Sequence, residues 1–307
     1  MDGGLTITLI SVAMFVGSFA LGFLPLLFRL SEKSLRFVSI LGAGLLCGTA
    51  LAITIPEGVG LLEESWRASS SSDVPSSLNA SDKNRNATST ERGPPPRFFI
   101  GVALTLGFTF MFVVDQIGSY FSMRGRTTRL PNSVGITATL GLVIHAAADG
   151  FAVGAAVATG QVTVQVIVFL AVILHKAPAA FGLISFLMHA GLEKKYIQGH
   201  LLAFSAAAPV LAITTYFILH ASGSSSQNQL SATGVGMLFS AGTFLYVATV
   251  HVLPEVSSSR TGQTPSDLQR HTGAEAHHQR HLGLLESLTL ILGVGLPMVL
   301  ALGLHDD

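Results

Sequence analysis

The chain has 307 residues, of which 49% are hydrophobic and only 11% charged, with a mean hydropathy of +0.58. Soluble domains carry about 25% charged residues, so this composition excludes an ordinary soluble globule, and the even balance of 17 basic and 17 acidic residues argues against a nucleic-acid-binding face. The single cysteine, Cys47, excludes a disulfide framework and a cysteine-based zinc finger.

Eight apolar stretches are long enough to cross a bilayer, whose hydrocarbon core of about 30 Å needs about 20 residues per helix. They do not alternate with a period of two, so helices rather than a barrel must satisfy the backbone in lipid. We therefore predict an all-α integral membrane protein with eight transmembrane helices. The predicted spans, numbered 1 to 8 below, are 5–28, 35–58, 98–121, 134–158, 163–190, 200–220, 231–256 and 281–304.

The distribution of lysine and arginine predicts the orientation. Basic residues are concentrated in the connections that follow spans 1, 3, 5 and 7, whereas the connections after spans 4 and 6 contain none. Cytosolic loops are the ones that carry an excess of these residues. Both termini are therefore expected outside the cell or in a lumen.

The polar segments agree with this orientation. Segment 59–97 is rich in Ser, Pro and Asn, which predicts a disordered luminal or extracellular loop, and its sequons at Asn79 and Asn86 are used only on that side. Segment 257–280 is predicted to be a cytosolic loop, whose histidines fit either a metal-collecting tract or a solvated linker. The remaining segments are 1–58 with spans 1 and 2, 98–256 with spans 3 to 7, and 281–307 with span 8 and a short tail.

A short internal repeat connects spans of opposite direction. Span 2 ends in Pro56-Glu57 and span 7 ends in Pro254-Glu255, yet one span exits outward and the other inward. Spans 4 and 5 likewise each carry a histidine near the centre. Repeats of opposite topology are typical of secondary transporters, whose substrate sites lie at the repeat interface.

The central spans carry the residues with metal chemistry. His145 and Asp149 are four apart in span 4 and so share one helix face, and imidazole with carboxylate is a suitable donor set for zinc. Span 5 adds His175 and Lys176. Since an Asp or Lys at bilayer depth costs about 2.5–3.5 kcal/mol on insertion scales, four ionisable groups in two adjacent spans favour a substrate pathway over a structural polar cluster.

Pro178 in span 5 cannot donate a backbone hydrogen bond and frees a carbonyl near Leu174. Unwound backbone at this depth is tolerated where it lines a cavity. The sequence therefore predicts a helix break beside the histidine, with a packing kink as the alternative.

The pattern His145-x-x-x-Asp149-Gly150 in span 4, together with His175-x-x-Pro178 in span 5, resembles the ZIP (Zrt/Irt-like) family of zinc and iron transporters. The resemblance extends over 5–58 and 98–304. It implies eight helices in a 3+2+3 arrangement with inverted repeats, transport of metal toward the cytosol, and residence in the Golgi and plasma membrane. It also implies that His145, Asp149 and His175 are metal ligands, and it places His251 where other members often have an acidic residue near the metal path.

Two departures from the family pattern bear on the number of metals. Many members bind two metals side by side, whereas this chain has Lys176 beside His175, and Ala179 where a ligating Glu is usual. We therefore infer a single-metal site. The charge of Lys176 would pair with Asp149 or Glu255 in place of an ion, or be coupled to metal occupancy.

Two further carboxylates are candidates for the ends of the metal path. Glu57 lies near the outer end of span 2, and Asp115 near the inner end of span 3. Each is either part of an entrance or exit for the metal or a carboxylate at the level of the lipid headgroups.

Three function classes compete. A secondary carrier for zinc or another divalent cation is favoured, because no Gly-x-x-x-x-Gly-Lys sequence exists for ATP binding, and the absence of His-Glu-x-x-His argues against a metalloprotease or other enzyme. The alternative is a membrane receptor for a lipophilic, steroid-like ligand that signals through cytosolic loops, although eight spans do not match seven-helix receptors. The expected partners are the bilayer and zinc as transported substrate, with no organic cofactor and no nucleic acid. The sequence does not determine the oligomeric state, for which a homodimer is the assembly considered.

Overall fold

The protein is an all-helical membrane bundle. Its structure, a computed structural model, describes residues 3–27, 32–72, 96–125, 133–189, 192–252 and 283–305. Within these ranges, eight helical spans are long and apolar enough to cross a membrane, which confirms the predicted fold class. Spans 1 to 8 have these bounds: Gly3–Leu27; Glu32–Thr49, Ala50–Thr54 and Ile55–Ser72; Pro96–Gly125; Ser133–Ala158; Val162–His189; Lys194–Ala221; Ser226–Tyr246 and Val247–Val252; and Leu284–His305.

Span 2 is longer than the sequence predicted. Its last helix runs to Ser72, so the assignment of residues 59–72 to a disordered loop was wrong. The helix continues because Leu61 and Leu62 are buried, Leu62 in a cluster with Leu238 of span 7, and because Gln227 donates a 2.7 Å hydrogen bond to the Ser65 carbonyl. The sequons at Asn79 and Asn86 lie outside the described residues.

Spans 2 and 7 contain the only π-helical segments among the described residues, Ala50–Thr54 and Val247–Val252. Each segment ends two residues before a proline of the sequence, Pro56 or Pro254. A proline cannot donate to the carbonyl four residues earlier and its ring crowds that carbonyl. A wider turn, with the Ile55 N–H donating to the Ala50 carbonyl, accommodates this loss in span 2.

The helix crossings reveal the inverted repeat. A Cβ added at Gly44 of span 2 would collide with the Leu290 carbonyl of span 8, and one added at Gly242 of span 7 would collide with the Leu104 carbonyl of span 3. The same offset of 198 residues separates Gly44 from Gly242 and Pro56 from Pro254, and an offset of 186 separates Leu104 from Leu290. Span 8 therefore packs on span 2 as span 3 packs on span 7.

Other helix pairs follow the same symmetry. Span 1 packs on span 5 as span 6 packs on span 4, and span 2 packs on span 5 as span 7 packs on span 4. Equivalent spans are 1 and 6, 2 and 7, 3 and 8, and 4 and 5. Because their numbers in chain order differ by an odd number, the two members of each pair cross the membrane in opposite directions. The structure thus confirms the 3+2+3 arrangement, with spans 4 and 5 between the two repeats.

The burial of each span shows where the core lies. In the most apolar 18-residue window, 72% of span 7 and 61% of span 4 are buried, against 11% of span 8. The peripheral spans expose apolar side chains, which suit contact with lipid. Their helical backbone satisfies its own hydrogen bonds, as the bilayer requires. Spans 2, 4, 5 and 7 therefore meet in the protected centre of the bundle.

Candidate metal centre

Three potential ligands converge in this centre. His145 and Asp149 project one turn apart from span 4, and His175 comes from span 5; all three are buried. Nε2 of His175 lies 2.9 Å from Oδ2 of Asp149, and Nε2 of His145 lies 3.3 Å from the same oxygen. One donor atom from each residue lies within 4.8 Å of the others. Around a tetrahedral zinc ion with bonds of about 2.0–2.2 Å, ligand atoms are about 3.3–3.6 Å apart, so a small movement admits an ion.

Small residues bring the neighbouring helix close to this pair. Gly150 follows Asp149 directly, and a Cβ added there would collide with the Ala208 carbonyl of span 6. Gly154, one turn later, is equally close to the Ala212 carbonyl. Helices in membranes associate through such small residues because van der Waals contact between backbones is one of the main attractive terms. This crossing holds the carboxylate in the core rather than against lipid.

Span 7 supplies contacts that the sequence analysis missed. Nδ1 of His145 lies 2.8 Å from the Thr243 hydroxyl, and the Ser240 hydroxyl donates to Oδ1 of Asp149. The ring of Phe244 packs on both histidines, with centroids 4.6 Å from His145 and 4.9 Å from His175. The sequence does contain a pattern that points to these contacts. Ser240 and Thr243 are three positions apart in an apolar span and therefore lie on one face of the helix.

Lys176 is buried next to the ligands but does not pair as the sequence analysis considered. Among the described residues its Nζ has no hydrogen-bond partner and forms no salt bridge with Asp149. It lies instead 4.5 Å from the centre of the Phe204 ring of span 6, in a cation–π contact. Glu255, the other partner considered, lies outside the described residues.

Pro178 does not break its helix. The helix Val162–His189 continues through it, so the predicted break was wrong. Span 2 packs close at this point, since a Cβ added at Gly42 would lie 3.5 Å from the Pro178 side chain. A single missing N–H is tolerated in a transmembrane helix that neighbouring helices hold in place.

Of the remaining predicted residues, Glu57 and Asp115 are not part of the three-residue cluster. Glu57 lines a cavity of about 550 Å³ between span 2 and the start of span 5, which Val168 also lines. Asp115 is half-buried and accepts a 2.9 Å hydrogen bond from the Tyr246 hydroxyl of span 7. The backbone of His251 belongs to the π-helical segment of span 7, but its side chain is not among those described.

The sequence of the chain matches a known family over nearly its whole length. A family model described as "ZIP Zinc transporter" matches residues 4–135 and 126–301. The chain belongs to the ZIP family. This confirms the resemblance seen in the sequence and identifies the chain as a member of a family of zinc transporters.

Relatives that align with this ZIP family member over nearly its full length are named as zinc transporters. It is 48% identical to Zinc transporter ZIP9 of Xenopus tropicalis over 309 residues, which cover 99% of each chain. It is 47% identical to Zinc transporter ZIP9 of Micropogonias undulatus over 320 residues, covering 99% of this chain and 100% of the fish protein. The similarity therefore includes all eight spans.

Proposed function

We propose that this ZIP family member is a secondary carrier that moves zinc from the lumen or the extracellular side into the cytosol. The observation that carries the proposal is the buried convergence of His145, Asp149 and His175 between the two inverted repeats. Transporters of inverted-repeat architecture bind their substrate at that interface. The names of the full-length relatives support zinc as the ion.

The donor set suits an ion that must both bind and leave. Two imidazoles and one carboxylate give a four-coordinate zinc three ligands, and the fourth is water or a further group such as His251. Imidazole suits zinc, whereas magnesium and calcium prefer oxygen donors alone. A permeation site must admit the ion without holding it too firmly, and an incomplete protein shell meets this need.

The cavity at the outer end of spans 2 and 5 is proposed as the entrance. Its lining includes three carboxylates, Glu57, Glu63 and Glu64, and one basic residue, Arg67, which pairs with Glu63 at 3.8 Å. The lining therefore keeps a net negative charge, which attracts a cation. Val168 on its wall precedes His175 by seven residues, which is about 10 Å along a helix. Asp115, bonded to span 7, is proposed for the inner part of the path.

The orientation and the location in the cell follow from the same proposal. Basic connections after the odd-numbered spans and sequons at Asn79 and Asn86 support luminal termini and a glycosylated loop. Sequons on the luminal side indicate the secretory pathway, and we propose the Golgi and the plasma membrane as sites of action. A homodimer is the assembly to be tested by cross-linking in membranes.

Zinc uptake by the purified protein in liposomes tests the carrier function. His145→Ala and Asp149→Asn each remove one of three ligands, and loss of one ligand is expected to reduce uptake at low zinc concentration at least about tenfold. His200→Ala is the matched control, because it removes an imidazole from span 6 outside the cluster. Equal uptake by all three variants and the parent protein would show that zinc takes another path.

A further inference from the structure

We propose that Ser240 and Thr243 are positioning residues which fix the donor atoms of Asp149 and His145 and thereby favour zinc over larger cations that prefer oxygen, such as Mn²⁺. The two hydroxyls project from span 7, 91 and 98 residues along the chain from the side chains that they contact. The inference rests on the proposed function, since it assigns selectivity to the same site.

Thr243 determines which nitrogen of His145 faces the cluster. Its hydroxyl donates its one proton to the Ser240 carbonyl at 2.7 Å. Its oxygen can therefore only accept from Nδ1 of His145, which lies 2.8 Å away and must carry the hydrogen. The neutral ring then presents an unprotonated Nε2, which has no hydrogen-bond partner and points toward Oδ2 of Asp149 at 3.3 Å. Two facing lone pairs in a buried site attract a cation.

Ser240 determines how the carboxylate binds. Its hydroxyl donates to Oδ1 of Asp149, whereas Oδ2 faces both histidine Nε2 atoms. The carboxylate is therefore presented through one oxygen. Zinc with four ligands needs one oxygen from each carboxylate, whereas cations that prefer six or more oxygen ligands gain from a carboxylate that uses both.

The inverted repeat provides an internal comparison. The positions in span 2 that precede Ser240 and Thr243 by 198 residues are Gly42 and Leu45, which have no hydroxyl. In the central spans, Asp149 has Ala179 as its counterpart, 30 residues later, as His175 is the counterpart of His145. Span 7, which packs on the span that carries Asp149, has the two hydroxyls. Span 2, which packs on the span that carries Ala179, has neither. It is not a packing feature of the repeat.

Zinc and Mn²⁺ uptake by the full chain in liposomes tests the inference. Thr243→Val keeps the shape and removes the hydroxyl, so the KM for zinc should rise about 10–100-fold with little change in maximal rate, and Thr243→Ser should restore it. Ser240→Ala frees Oδ1, so the ratio of zinc to Mn²⁺ uptake should fall about tenfold. Thr233→Val is the control, since Thr233 is buried in the same span and donates only to its own helix at Gln229.

The outcomes separate this inference from the proposed function. A parental zinc KM in Thr243→Val and a parental zinc to Mn²⁺ ratio in Ser240→Ala, with uptake abolished in His145→Ala, would overturn the positioning role and leave the carrier function intact. Parental uptake in His145→Ala would instead overturn the function itself. If Thr243→Val does not reach the membrane, the ratio measured in Ser240→Ala decides, because a ratio does not depend on the amount of protein.

Discussion

At the scale of single residues, the unusual group of this protein is a buried ammonium beside a metal ligand. Lys176 follows His175 directly and is 1% exposed. Among the described residues its Nζ has no hydrogen-bond partner and makes a cation–π contact with the Phe204 ring. In a buried site, where the effective dielectric constant is about 20, a unit charge repels a nearby divalent ion more strongly than it would in water. Lys176 therefore supports the interpretation of a single-ion site.

Removal of this charge should strengthen zinc binding. We expect Lys176→Met, which keeps the length of the side chain, to lower the zinc concentration for half-maximal uptake roughly threefold or more. Lys176→Arg keeps the charge and should resemble the parent protein in this respect. Zinc titration of the purified variants provides the measurement, and an unchanged or higher half-saturation value for Lys176→Met would contradict the repulsion.

At the scale of helices, the packing depends on a few close crossings related by the repeat. Gly107 of span 3 lies against the Phe239 carbonyl of span 7, and Gly293 of span 8 lies against the Leu41 carbonyl of span 2. Phe239 and Leu41 are related by the same offset of 198 residues as the other pairs in these spans. These crossings fix the position of span 7, and with it the position of the two hydroxyls at the site.

A methyl group at these crossings should destabilise the bundle. Gly107→Ala and Gly293→Ala force backbone shifts that typically cost about 1–3 kcal/mol, so the melting temperature of the protein in detergent should fall by several degrees. Gly101→Ala and Gly295→Ala are matched controls in the same two spans, because a Cβ there meets nothing within 4 Å. If Gly107→Ala melted at the same temperature as Gly101→Ala, and Gly293→Ala at the same temperature as Gly295→Ala, the helices would not cross closely at these glycines in solution.

At the scale of the whole molecule, the fold has one protected centre and two ends that face different compartments. The donor cluster lies in the centre, and a cavity lined by charged residues lies beside Glu57, at the end that is predicted to face the lumen. The driving force of a secondary carrier acts along this axis. The orientation is therefore as important for the function as the ligands.

Glycosylation tests the orientation directly. If the loop is luminal, enzymatic removal of N-linked glycans from protein made in animal cells should increase its gel mobility, and the Asn79→Gln, Asn86→Gln double variant should already show the faster mobility. The two single variants should each lose part of the shift. A parent protein whose mobility does not change on this treatment would remove the support that the sequons give to luminal termini.

The local parts of this organisation were predictable from the sequence. Eight spans follow from apolar length alone, because lipid satisfies no backbone group and leaves helices as the solution. The pairing of His145 with Asp149 follows from the helical repeat, and the meeting with His175 follows from the need to turn ionisable groups away from hydrocarbon. The continuation of span 2 to Ser72 did not follow, because it depends on the contact of Leu62 with Leu238 in a distant span.

The sequence by itself thus determined the spans and the residues able to bind a cation, since these depend on periodicity and composition within each segment. The tertiary structure alone decided that Ser240 and Thr243 hold two of those ligands, that Lys176 turns to Phe204, and that the helix passes unbroken through Pro178. These outcomes depend on crossing angles and close approaches between helices far apart in the chain, which no local pattern records.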